Sequence, residues 1–214
     1  MPQSNIIKEL QDGLEYMGKK FRDCPWEDKN FYAQWLAQTT FFTRHTTRLL
    51  SLAGSHTPRE YQALHNRFLE HAAEEKGHEN LTLLDLKCVG EKIDSFHELP
   101  STQSLYQTQY YWIEHKSPMA FFGFILALEC LADKHGHMLV DRTQKAFGPK
   151  GVHFLRVHAE EDVDHSNEAI AQVEALPKEF HPMIIENLNQ CFANYEAILD
   201  DCMEYAKIMK KQAA

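Results

Sequence analysis

The chain has 214 residues, 43% of them hydrophobic and 25% charged, which is long and apolar enough for one sizeable domain and excludes a disordered polymer. With 22 Lys and Arg against 31 Asp and Glu, the net charge of −9 argues against a nucleic-acid partner, because that affinity is built from clustered cations. The five cysteines (Cys24, Cys88, Cys130, Cys191, Cys202) form no CxxC pair and are odd in number, so no disulfide framework is expected and a reducing cytoplasm is the natural setting.

Helical signals run from end to end. A first helix is expected over about Asn5 to Arg22, ending before Cys24-Pro25, and a second over about Asp28 to Ala53, stopped by Gly54. Thr57-Pro58-Arg59-Glu60 reads as a capping box with proline at the first helical position. The third helix it opens can run to about Gly90, long enough for a kink near Gly77. A loop over 91–100 leads to a fourth helix capped by Ser101 and ending near His115. Ser117-Pro118 opens a fifth, which runs through Glu129 to Phe147. After Gly148-Pro149-Lys150-Gly151, a sixth reaches about Ala175, and beyond Pro177 a seventh fills the remainder to about Lys211. Strand signals are weak throughout. The expectation is an all-α, single-domain bundle of seven helices over residues 1–214. The N-terminus lacks the pattern of a signal peptide, and the apolar run Met119 to Ala132 is too short to span a bilayer and reads as a buried helix.

Thirteen histidines are the unusual component, and their placement carries the functional argument. Two segments share a cassette: His71-Ala-Ala-Glu-Glu75-Lys-Gly-His78 and His158-Ala-Glu-Glu-Asp162-Val-Asp-His165. Offsets of zero, four and seven fall within a helical stripe about 60° wide, so each helix can aim two imidazoles and a carboxylate at one partner. Mixed imidazole and carboxylate ligation suits iron, manganese or zinc, and the lack of cysteine argues against a structural zinc site. Glu129 sits in the apolar run from Phe121, where a carboxylate is costly unless paired or coordinated, and is the candidate for a bridging ligand.

Ferritin-like diiron bundles need a lone carboxylate on a helix before the first pair, yet no Asp or Glu occurs between Lys29 and Arg59. The pattern instead resembles the heme-oxygenase-like diiron oxidases and oxygenases, iron-containing redox enzymes related to the TenA/PqqC group. His78, Glu129, His158, Asp162 and His165 match the family's ligand positions, and the helix order fits over most of the chain. The family places Glu seven residues before the first histidine, where this chain has His71. Either Glu75 supplies the missing carboxylate or His71 itself binds metal.

The resemblance implies a seven-helix heme-oxygenase-like fold and a ligand set of Glu75, His78, Glu129, His158, Asp162 and His165, with His71 in question. It also implies Fe(II)/Fe(III), two ions, O2 as co-substrate, and oxidation of a small organic molecule of amino-acid, amine or fatty-acid type. Phe121, Phe122, Phe124 and Trp112 offer an apolar wall for such a substrate, and Tyr110 and Tyr111 precede the Glu129 helix. A homodimer and an external electron donor are compatible with this reading. The alternatives are a metal-free PqqC/TenA-like enzyme on the same fold and a non-catalytic metal-binding bundle. Weaker readings are a heme protein using His45 with Arg44 and Arg48, and a thiaminase-like enzyme using Cys130 as nucleophile.

Overall fold

Every regular element among the described residues is helical, as the 3.6-residue patterning requires. A computed structural model describes residues 6–213, apart from the side chains of residues 161–165 and 213. Five of the seven expected helices appear as single rods: α1 (Ile6–Asp23), α6 (Pro100–His115), α7 (Phe122–Phe147), α8 (His153–Ala175) and α9 (His181–Ala213). The other two are each broken. The second is split into α2 (Lys29–Thr43) and α3 (Thr46–His56), the third into α4 (Gln62–Glu74) and α5 (Glu79–Cys88). The described residues therefore form nine α-helices rather than the seven expected.

Each break has a local cause. At the end of α2, the Thr40 and Thr43 hydroxyls donate to the carbonyls of Leu36 and Thr39, both at 2.8 Å, and such back-bonding bends helices. The chain tightens there, with His45 N–H donating to Phe42 O at 2.9 Å, and restarts as α3. Between α4 and α5, Gly77 adopts φ +96°, a conformation that ends a right-handed helix and is open mainly to glycine. Two expected caps are also corrected. Thr57 donates its hydroxyl to Ala53 O instead of capping, and a 3-10 turn over Arg59–Tyr61 precedes α4. Pro100 rather than Ser101 starts α6, because its ring already holds a helical φ, and Ser101 instead donates to Asp201.

Helix α2 is buried on nearly every side, which explains its lack of acidic residues. It contacts α5, α6 and α9, while α7 packs on α8, α9 and α1. Where α7 meets α8, a Cβ on Gly136 would fall 2.8 Å from the Ala159 methyl, so glycine permits the close approach of these helices. A single hydrophobic cluster extends from Ile6 to Ala206. No described helix is long and apolar enough to cross a membrane.

Candidate metal centre

The α4–α5 break is what shapes the first cassette. Glu75 is the C-cap of α4 and His78 the N-cap of α5, so the two ligand candidates flank Gly77 across the turn instead of lying on one continuous helix. This brings His78 Nδ1 to 3.3 Å from Glu75 Oε2. Across from them on α8, the His158 ring lies edge-on to His78, with centroids 4.9 Å apart. One ligand atom from each of Glu75, His78 and His158 falls within 4.8 Å of the others.

His158 is pre-oriented. Its Nδ1 lies 2.8 Å from the Phe154 carbonyl oxygen one turn earlier, and donation there leaves Nε2 with a lone pair for a cation. Phe154 also packs against the ring at 4.1 Å. The start of α8 is fixed from outside. Asp85 on α5, fully buried, accepts from the backbone N–H groups of His153 (2.8 Å) and Phe154 (2.9 Å) and from His153 Nδ1 (2.8 Å). The helix whose first residue follows His78 thus also caps the helix that carries His158.

Glu129 and His71 complete the described cluster. Glu129 on α7 is 8% exposed, and its Oε1 lies 3.0 Å from His71 Nε2, which is also 3.8 Å from Glu75 Oε1. Burial works against charge on His71, but Glu129 and Glu75 outweigh it and push the imidazole up to about 10. Glu75 responds in the opposite sense: despite burial, His71 and His78 hold its carboxyl well below the usual range. Among the described residues, neither Glu129 oxygen accepts a hydrogen bond of good geometry. A buried carboxylate whose contact is the His71 imidazole, beside Glu75 and His158, is part of a donor set that fits iron.

The structure thus brings together His71, Glu75, His78, Glu129 and His158. The remaining two expected ligands, Asp162 and His165, lie outside the described residues. The wall of aromatics is corrected in part. Phe121 and Phe124 line a cavity of about 110 Å³ that also touches His71, Glu75, Glu129 and His158. Phe122 instead packs on Phe68 (5.1 Å), and Trp112 donates to Gln190 at 2.7 Å. His45 is stacked on Tyr106 at 3.8 Å and bonded to the Tyr110 hydroxyl at 3.0 Å, and neither His45 nor Tyr110 lines the cavity. Tyr111 is 53% exposed. Asp85 was missed by sequence reasoning, although an aspartate inside Leu-Thr-Leu-Leu-Asp85-Leu carries the same signal that singled out Glu129.

An all-helical bundle with a buried carboxylate–imidazole cluster between its core helices defines a class, and the comparisons name it. The model of a family described as iron-containing redox enzymes matches residues 33–193, and the chain belongs to that family. The fold is heme oxygenase-like. A domain of unknown function with that fold from Shewanella denitrificans OS217 superposes with a TM-score of 0.85 at 19% identity, covering 95% of this chain and 94% of that one. A TenA homologue from Pseudomonas syringae pv. tomato str. DC3000 gives 0.79 at 11% identity, covering 93% and 91%. Among curated proteins, none matches the chain.

Proposed function

We propose that the chain is an O2-activating non-heme diiron oxidoreductase acting on a small organic molecule. The observation that carries this reading is the convergence of Glu75, His78 and His158, with ligand atoms within 4.8 Å of one another. Glu129, Asp162 and His165 join them as ligands. Bound iron would supply O2 activation and redox change, which no side chain in the cluster offers. The chain's own residues do the rest. Phe154 O holds the His158 tautomer, Asp85 fixes the start of α8, and the apolar cavity wall excludes water from the reacting substrate. The reading carries a small-molecule substrate and an external electron donor, in a cytoplasmic setting.

Elemental analysis after anaerobic Fe(II) loading tests it. Roughly two irons per chain are expected for a bridged pair, falling sharply in His78→Ala and His165→Ala. Unchanged metal content in both variants would end the proposal. O2 consumption by the loaded chain with candidate substrates then separates an oxidase from a metal store.

One observation favours a second reading, a metal-free TenA-like enzyme. His71 lies between Glu129 and Glu75 and, protonated, offsets one of their two negative charges without a metal ion. Activity that survives exhaustive chelation selects this alternative.

A further inference from the structure

The cavity beside the cluster is long for its volume. On α7 alone its lining runs from Phe121 to Leu139, which is about 27 Å of helix. Yet it encloses only about 110 Å³, so it is a passage about one small molecule wide. An engineered apolar cavity that takes benzene encloses about 150 Å³ in one compact space, and a ring has no such room here. Glu129 stands near the middle of the run and divides it into two arms.

The arm towards Leu139 is the apolar one. On α7 it is lined by Leu131, Ala132, Gly136 and Leu139. Rings from four other helices close it: Phe21, Trp35, Phe154 and Tyr195. These rings touch, with Phe21 to Tyr195 at 6.0 Å and Trp35 to Phe154 at 6.1 Å, and Phe21 meets His135 of α7 at 5.7 Å. Phe154 packs in turn on His158, so the arm ends at the cluster. The polar lining is elsewhere. His71, Glu75, Glu129 and His158 form the cluster, while Thr43 and Thr46 flank the α2–α3 break, where the Thr43 hydroxyl donates to Thr39 O at 2.8 Å. Within the arm the Trp35 N–H is spent on the Tyr195 oxygen at 3.2 Å. A water needs about two to four polar partners, so this arm is a poor place for water and a good one for a small uncharged molecule.

We infer that the apolar arm between Glu129 and Leu139 takes up dioxygen and holds it beside the cluster. This rests on the reading of the cluster as an O2-activating site. Leu131, Ala132 and Leu139 are then positioning residues, which keep a narrow space open where close packing would otherwise fill it. The organic substrate meets the cluster outside the arm. An acid, amine or zwitterion is therefore not excluded by rings it never enters.

Dioxygen is paramagnetic, and methyl NMR of the full-length, metal-free chain under O2 or N2 pressure provides the test. Under O2, relaxation of the Leu131, Leu139 and Leu155 methyls should rise about threefold more than that of Leu105 and Leu188, which are equally deep but outside the cavity. Ala132→Leu and Ala132→Phe fill the arm from a half-buried position and should bring that excess down in order of size. The milder variant keeps the test open if the larger one does not fold. After Fe(II) loading, oxidation at limiting O2 should slow in the same order at the parent's iron content. The inference is overturned if the lining methyls respond no more than the controls, if filling leaves their excess unchanged, or if the excess is lost while the oxidation rate stays. Because the NMR readout uses no metal, a chain that shows the excess but takes up no iron refutes the oxidoreductase reading alone.

Discussion

The Asp85 carboxylate on α5 accepts the Phe154 backbone N–H at 2.9 Å, joining the helix that begins beside His78 to the helix that carries His158. The same carboxylate takes two further hydrogen bonds from His153, so three donors converge on one buried side chain. It is an N-cap supplied by another helix, and its loss leaves buried donors without acceptors. Asp85→Ala should cost about 3 kcal/mol, a fall in Tm of about 6–12 °C for a chain of this size. Asp85→Asn keeps an acceptor and should lose about a third of that. Urea unfolding of both variants checks the ranking. Fe(II) affinity should fall in the same order, because the cap sets the distance between His78 and His158. Equal iron affinity in the two variants and the parent would show that the cap serves the fold alone.

The Gly77 turn makes a second, sharper test of how geometry feeds the site. A side chain at φ +96° is strained, so Gly77→Ala should destabilise by about 1–3 kcal/mol. The turn holds Glu75 and His78 3.3 Å apart, and a relaxed turn separates them. Iron affinity should therefore drop more than stability does, while the neighbouring exposed Lys76→Ala leaves both nearly unchanged. Calorimetric Fe(II) titration with parallel thermal melts distinguishes the two effects.

His71 gives a pH dependence whose sign is fixed. In the metal-free chain Glu129 and Glu75, having overcome the penalty of burial, raise its pKa to about 10. A raised histidine contributes stability that is fully present below its unfolded value of about 6.5 and is lost as pH climbs through the folded value. Metal-free protein should therefore weaken between those limits, and His71→Gln should flatten that slope. The same variant leaves two buried carboxylates facing each other and should cost about 3 kcal/mol at neutral pH. Fe(II) should restore most of that loss if the metal takes over the balancing charge, and urea midpoints measured across the pH range with and without Fe(II) report each step.

Much of this molecule was readable from residue order. The bundle followed from helical periodicity, and the cluster followed from two cassettes plus one carboxylate in an apolar run. Gly77 even marked the place where the third helix fails. The failures share a cause, namely groups whose partners are remote in sequence. Thr40 and Thr43 broke the second helix by bonding to carbonyls of their own turn, a competition that propensity alone does not rank. Asp85 caps a helix 68 residues away, and Trp35 meets Tyr195 across 160 residues. Trp112 was placed in the substrate wall because it is aromatic, yet its N–H draws it towards Gln190.

Gln38 belongs with these long-range pins, and its removal should separate the fold from the site. It is fully buried on α2, donates to His97 O at 2.9 Å and accepts from Leu99 N–H at 3.0 Å and from the Thr102 hydroxyl at 2.8 Å. One amide thus satisfies the loop before α6 and the first turn of that helix, where no regular ladder is available. Gln38→Leu preserves volume and strands a carbonyl, an N–H and a hydroxyl, so it should cost about 3 kcal/mol. Gln38→Glu keeps an acceptor but loses the donor to His97 and brings a buried charge, so it should rescue little. Gln38 does not line the cavity, and none of its partners touches the cluster. Iron stoichiometry should therefore stay at the parent value while limited proteolysis opens the chain between residues 91 and 99. Loss of iron in step with the new cleavage would mean that this loop, and not the helices alone, holds the metal centre in shape.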